Sequence, residues 1–340
     1  MKIALDAQLT IGTATGIGEF VRGLAAALRE SGVDVVELCE PALDPWRFDR
    51  RLIWDQAVLP RRAKASGASL LHCASGTMPW SCGLPVVVTV HDLAWHRAQG
   101  HAPPYARFYF GPFSLRRYRS AARIVVDSEF SRRALLELIG DYDPARIEVV
   151  YPGVAADFTT MERGAGDGRT ILAVGTIERR KNLELLVRVL ARLPDARLIA
   201  LGPSTPYANE CAALAQSLNV GDRFEMRGYV ARKQLLELYA GAAVVAVPSR
   251  YEGFGYAAAQ ALCAGTPCVV SDQSSLPEVV AGDAEVVAVD AIDAWAAALE
   301  NALRGNDDAR AAQARAAAIA RFAWSASVRK MERIYASVDR

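Results

Sequence analysis

Residues 243–272 read AVVAVPSRYEGFGYAAAQALCAGTPCVVSD. An apolar run at 243–249 leads through a polar, glycine-bearing loop into a helical pattern at 257–264, and a second apolar run follows at 267–272. Neither run alternates polar with apolar residues, so each reads as a strand buried on both faces, as in a parallel sheet covered by helices. The same strand–helix–strand grammar extends outward. Further runs rich in Val, Ile and Leu stand at 170–176, 196–202, 223–228 and 284–289, and a separate series at 2–7, 33–39, 69–74, 86–92, 123–128 and 147–151. Twelve strands in two sets of six predict an α/β protein with two doubly wound, Rossmann-like domains. Between the sets lies YPGVAADFTTMERGAGDGR, where Pro152 and Gly153 end a strand and Gly164, Gly166 and Gly168 crowd a polar stretch. That composition marks a linker at about 152–168, between a first domain at 1–152 and a second at 168–324. The closing stretch carries Val328, Met331, Ile334 and Tyr335 at helical spacing and reads as a helix packed on a neighbouring domain.

A length of 340 residues, 52% of them hydrophobic and 23% charged, suits two such domains and excludes disorder, collagen-like repeats and small disulfide scaffolds. The 39 basic and 38 acidic residues leave a formal charge of +1, so no broad field draws the molecule to nucleic acid, and an anionic ligand must be met locally. Lys181 is one of only five lysines. The six cysteines show no Cys-x-x-Cys pairing and read as reduced, partly buried thiols of a cytoplasmic protein. MKIALDAQ is not a secretory leader, and no window approaches the roughly 20 apolar residues of a membrane span.

In open parallel sheets ligands bind beyond the carboxyl ends of the strands, so the loops there carry the chemistry. The first strand ends at Asp6 and leads through a loop with Gly12, Gly16 and Gly18 into a helix at about 17–30, whose N-terminal amides suit an anion. Val21 stands where a dinucleotide fingerprint needs its third glycine, so the motif alone fits an ordinary loop equally well. All four histidines fall between residues 72 and 101, without the spacing of a metal site. His72 lies within a strand, whereas His91 ends one and is placed to donate a hydrogen bond to a polar substrate. In GTIERRKNLELL (175–186), Arg179, Arg180 and Lys181 open a helix capped at Asn182 or a neighbour. Three cations there oppose the helix dipole unless an anion joins them, and a diphosphate would do so. In PSRYEGFG, Glu252 reads either as an N-terminal helix stabiliser or as an acceptor for sugar hydroxyls, with Gln260 two turns further on nearly the same face.

These residues together resemble the retaining glycosyltransferases of family 4, whose fold is the two-domain GT-B architecture with facing sheets and a central crevice. The resemblance runs over almost the whole chain. It rests on PSRYEGFGYAAAQALCAGTP at 248–267, GIGEF at 16–20, HD at 91–92, DSEFSRRAL at 127–135, YPGV at 151–154, RKN at 180–182, GYV at 228–230, SSLPEV at 274–279 and the terminal FAWSASVRKMERIYASV. It implies transfer of a sugar from a nucleotide diphosphate sugar, with retained configuration, no metal and no cofactor. The first domain would face the acceptor, the second would bind the nucleotide sugar, and the last helix, about 325–340, would cross back onto the first.

Carried over residue by residue, Arg180 and Lys181 would hold the diphosphate, helped by the amides near Gly16 and Gly18. His91, Glu252, Gly253, Phe254 and Gly255 would hold the donor sugar, with His91, Arg180, Lys181 and Glu252 as the catalytic set. Gly175, Gly228, Tyr229, Val230 and Gln260 would line the nucleotide. Two departures stand out: Thr176 follows Gly175 where many members have Arg, and Gln260 replaces the second glutamate of the family motif.

The RKN and SSLPEV contexts suggest GDP-mannose as donor, with a UDP-sugar or dTDP-rhamnose as the alternative, and a glycan or lipid-linked acceptor in surface polysaccharide or glycolipid assembly. Residues 105–123, YARFYFGPFSLRRYRSAAR, hold five arginines, six aromatic rings and no acid. This pattern fits a peripheral contact with the inner membrane surface and, equally, an amphipathic helix with solvated arginines. Two other classes compete: a nucleotide-sugar-binding protein without catalysis, suggested by Gln260, and a nicotinamide-dependent dehydrogenase using Gly16–Gly18 and Glu37. The dehydrogenase leaves the RRKN and EGFG loops unexplained.

Overall fold

The computed structural model describes residues 1–12, 16–94, 96, 104–164, 166–305 and 308–338. Residues 13–15 of the first glycine loop and His101 lie outside them. The chain divides into two compact units, Met1–Gly153 with Ala323–Arg340, and Val154–Phe322.

The first unit holds β1 (Lys2–Asp6), β2 (Asp34–Leu38), β3 (Leu70–Cys73), β4 (Val86–Val90), β5 (Arg123–Val126) and β6 (Ile147–Val149), all parallel, in the order β2-β1-β3-β4-β5-β6. The chain leaves β1 to one side and returns on the other, so the sheet reverses between β1 and β3. Such a switch point opens a crevice at the carboxyl ends of the two strands. Every residue of β3 and β4 is buried, which accounts for their continuous apolar character. The helices Gly16–Glu30 and Trp324–Ala336 cover one face, packing Phe20, Leu24, Leu28, Val328 and Met331 on Ile3, Leu5, Val87 and Val125. Trp54, Leu59, Tyr118 and Leu135 cover the other.

The C-terminal helix is also held by polar groups. The Tyr335 hydroxyl lies 2.8 Å from His72 Nδ1, and His72 Nε2 lies 2.8 Å from Thr89 Oγ1. Burial lowers the His72 pKa to about 3, so the ring is neutral at pH 7 and one nitrogen donates while the other accepts.

The second unit holds β7 (Thr170–Val174), β8 (Arg197–Leu201), β9 (Phe224–Arg227), β10 (Val244–Val247), β11 (Cys268–Ser271) and β12 (Glu285–Val287), again all parallel, in the order β12-β11-β10-β7-β8-β9. Counted within this unit the order is 3-2-1-4-5-6, the doubly wound dinucleotide-fold arrangement, with the switch between β7 and β10. All twelve strands fall where the apolar runs placed them, but they end sooner. His91 lies one residue beyond β4, and Pro248, which has no N–H to donate, lies one residue beyond β10.

The stretch read as a linker is partly built into this unit. Residues Ala156–Thr160 form a helix whose Phe158 is fully buried, edge-on to Tyr239 at 5.1 Å between ring centroids. Its glycine content concealed that single anchoring ring.

Candidate active site

At the switch point of the second unit, the loop after β7 and the loop after β10 meet. Lys181 Nζ donates to Glu252 Oε1 at 2.6 Å, and Arg180 Nη1 lies 3.3 Å from Glu252 Oε2 and donates to the Tyr251 carbonyl at 3.1 Å. Ser249 donates to Glu252 Oε1 at 2.7 Å, and the backbones join where Arg250 N–H donates to the Arg180 carbonyl at 2.8 Å. The Glu252 side chain is 8% exposed, against 22% for Lys181 and 17% for Arg180, so the carboxylate sits beneath its cations. Burial alone would raise its pKa, but Lys181 and Arg180 hold it below the usual carboxylate range. Glu252 is therefore ionised at neutral pH and aligns two cations on one carboxylate.

The charge conflict expected of three adjacent cations is settled inside the protein. They form a tight 3-10 turn, Arg179–Lys181, ahead of the helix Leu183–Leu190. Arg179 turns away to both oxygens of Glu210 at 2.6 Å, Arg180 Nε pairs with Glu178 at 2.7 Å, and Lys181 takes Glu252. Three carboxylates meet three cations, so the turn does not by itself demand a diphosphate. Asn182 occupies the cap position in a left-handed conformation (φ 56°), but its side chain donates to the carbonyls of Pro248 and Val289 instead of capping the helix.

Glu252 also departs from the helical reading. The helix is Tyr256–Ala264, and Gly255 at its cap has a φ of 95°, a left-handed conformation that separates the EGF loop from the helix. Glu252 is fixed from β11 instead. Its N–H donates to Ser274 Oγ at 2.8 Å, and Ser275 Oγ lies 3.1 Å from the Glu252 carbonyl and 2.8 Å from that of Phe254. Both serines stand in the quoted SSLPEV motif, which was the available signal.

Gln260 does face inward. It is 5% exposed, and its Oε1 accepts from the Tyr239 hydroxyl at 3.1 Å. Gly228, Tyr229 and Val230 follow β9, with Tyr229 54% exposed. Gly175 lies directly under the Lys181 side chain. Its carbonyl is pressed against Gly202, which has a φ of 138°, so a methyl group at Gly202 would overlap that backbone. Gly202→Ala is expected to lower stability by about 2 kcal/mol and to displace the Gly175–Lys181 loop. Thermal unfolding of the variant at its wild-type midpoint would contradict this.

In the first unit, His91 lies at the end of β4 with both ring nitrogens engaged. Nδ1 is 2.7 Å from Asp127 Oδ2 and Nε2 is 2.9 Å from the Ala74 carbonyl oxygen. The Ala74 carbonyl can only accept, so Nε2 donates to it, and Nδ1 pairs with the Asp127 carboxyl, whose own pKa burial raises. Burial opposes a charge on the ring, but the Asp127 carboxylate, its hydrogen bond and the Ala74 carbonyl hold the His91 pKa above its ordinary value. Phe20 packs edge-on to the ring at 4.8 Å between centroids. Asp127 was missed as a functional residue, although it opens the quoted DSEFSRRAL; its other oxygen, Oδ1, is buried without a hydrogen-bond partner among the described residues. The helix that carries Phe20 begins at Gly16, and Gly18 is buried within its first turn.

Two doubly wound parallel sheets, one bearing a cation-clamped acid at its switch point, define the GT-B class of glycosyltransferase fold. A model of the group 1 glycosyl transferases matches residues 161–319, and a model of Glycosyltransferase Family 4 matches residues 14–158. The chain belongs to this family. Among similar proteins are the D-inositol 3-phosphate glycosyltransferases of Mycolicibacterium smegmatis, 33% identical over 75% of this chain and 63% of the relative, and of Mycobacteroides abscessus, 34% identical over 72% and 59%. The matched part thus spans about three-fifths of these curated relatives. Similar solved structures include a sucrose-phosphate synthase from Thermosynechococcus elongatus, with a TM-score of 0.78, 23% identity and 98% of both chains covered. HepE from Anabaena in complex with UDP and glucose gives 0.74 at 17% identity, covering 99% of this chain and 100% of that one. At these identities the structures speak for the fold.

Proposed function

We propose that this chain is a retaining glycosyltransferase that moves a hexose from a nucleotide diphosphate sugar to a glycan or lipid-linked acceptor without a metal ion. The observation that carries the reading is the Lys181–Glu252–Arg180 constellation at the β7/β10 switch point. An ammonium has three donors, so Lys181 can keep Glu252 while reaching a diphosphate oxygen, and the positive charges of Lys181 and Arg180 together meet the charge that develops as the nucleotide leaves. Glu252 retains lone pairs for sugar hydroxyls, and the backbone of Gly253–Gly255 closes on the same sugar. His91, whose Nε2 donates to the Ala74 carbonyl, acts as a hydrogen-bond donor; letting go of that carbonyl frees Nε2–H for the donor sugar.

GDP-mannose is the donor suggested by the RKN and SSLPEV contexts. A UDP-hexose is the second reading, supported by the UDP-glucose complex of HepE. The name of the curated relatives adds a phosphorylated cyclitol to the acceptor classes to be tried. A cytoplasmic location belongs to the same proposal and rests on the thiol-type spacing of the cysteines.

Thermal-shift screening with GDP-, UDP- and dTDP-sugars beside NAD tests the reading. A nucleotide sugar should raise the unfolding midpoint, and stabilisation by NAD alone would overturn the assignment. Gln260→Glu is expected to tighten nucleotide binding about tenfold by putting a charged acceptor beside ribose hydroxyls. An unchanged or weaker dissociation constant by calorimetry would remove Gln260 from the nucleotide site.

A further inference from the structure

The large apolar side chains that remain exposed are not scattered. Of ten among the described residues, six belong to one stretch of the first unit: Trp46, Leu52, Ile53, Trp80, Tyr105 and Phe108. Trp80, Tyr105 and Phe108 are 57%, 56% and 60% exposed, yet a ladder of rings joins them from beneath. Tyr105 packs on Phe48 at 4.7 Å between centroids, Phe48 on Tyr109 at 5.6 Å and Tyr109 on Phe113 at 5.2 Å; Phe113 then meets both Phe108 at 6.3 Å and Trp80 at 5.8 Å. The exposed rings are therefore held outward by packed neighbours.

The charges around the exposed rings are mainly positive. From Pro104 to Val126 there is no acid. Three of the five arginines there are bound to backbone: Arg117 donates to the carbonyls of Pro79 and Trp80 and lies over the Trp80 ring at 4.8 Å, Arg119 donates to those of Ile139 and Asp141, and Arg123 to that of Ala122. Arg107 and Arg116 are exposed and form no ion pair with any described residue. Arg47 and Arg50 flank Phe48 and share the single carboxylate of Asp49.

We infer that this face docks on an anionic lipid bilayer. Aromatic rings settle at the boundary between headgroups and acyl chains, and unpaired arginines meet lipid phosphates. A second copy of the same face would bring its arginines mostly against arginines, since between Pro104 and Val126 there is no acid and the nearby Asp49 is already shared by Arg47 and Arg50. Among the described residues no helix is long and apolar enough to cross a membrane, so the contact is peripheral. The inference is independent of the transferase reading, since it concerns a surface and not the sugar site.

Flotation of the purified chain with phosphatidylcholine vesicles, and with vesicles containing one-quarter phosphatidylglycerol, tests it. Binding to the anionic vesicles alone, weakened by 0.5 M salt, is expected. Arg107→Gln/Arg116→Gln should reduce that partitioning roughly 30-fold, and Tyr105→Ser/Phe108→Ser should reduce it at every salt concentration. Both double variants change exposed side chains and should unfold at the wild-type temperature. Equal partitioning of wild type and both variants, or no binding to either vesicle, would overturn the inference. So would a dimer by sedimentation velocity that both variants convert to monomer, because the face would then belong to a second copy.

Discussion

Lys181→Ala is expected to lower turnover by about 100- to 1,000-fold, the usual loss when one fixed donor to a developing negative charge is removed. The chain should remain folded. Lys181 is partly exposed, and its removal leaves Glu252 with Ser249 and Arg180 as partners, so the stability loss should be no more than about 1–2 kcal/mol. Removing the acid is a different matter. Glu252→Ala leaves Lys181 and Arg180 facing each other over a buried gap, so it should destabilise by about 3 kcal/mol as well as abolish turnover. Glu252→Ala is therefore not expected to be neutral in stability. Turnover and unfolding midpoints measured on both variants separate the two effects; wild-type turnover in Lys181→Ala would remove the lysine from the chemistry.

Asp127→Asn should lower the His91 pKa and move the alkaline limb of the pH–rate profile to lower pH. The groups facing the ring are Asp127 just after β5, Asp92 next in the chain, neutral His72 on β3 and the Ala74 carbonyl. Because the folded pKa of His91 is raised, the stabilisation from its pairing is fully present below its unfolded value, about 6.5, and is lost as pH rises through the folded one. The asparagine variant should thus lose about 2 kcal/mol at pH 6 and progressively less at higher pH. Histidine ring resonances followed by NMR against pH check this directly. An unshifted His91 titration would show that Asp127 does not hold the proton there.

The central strands β3, β4, β10 and β11 were legible because parallel strands buried on both faces are continuously apolar, and the edge strands followed from the repeated spacing around them. What escaped was the loop geometry. Glu252 reads as helical from its spacing to Gln260, but the left-handed Gly255 breaks that register, at a position where the packed Leu276 leaves no room for a Cβ. Arg179, Arg180 and Lys181 look alike in a row, and only the fold reveals that Glu210, more than two dozen residues away, draws the first of them aside. His91 was recognisable as a strand-end histidine. Its partner Asp127 was not, because the pairing depends on β4 and β5 being neighbours.

The central claim is that the ion-paired switch point of the second unit serves transfer of a hexose with retention. Proton NMR of the purified chain with GDP-mannose or UDP-glucose and a glycan or inositol phosphate acceptor tests it most directly. Loss of the donor anomeric signal and growth of a product signal of the same configuration are expected, both absent with Lys181→Ala. A product of inverted configuration, or equal product from the Lys181→Ala variant, would contradict it.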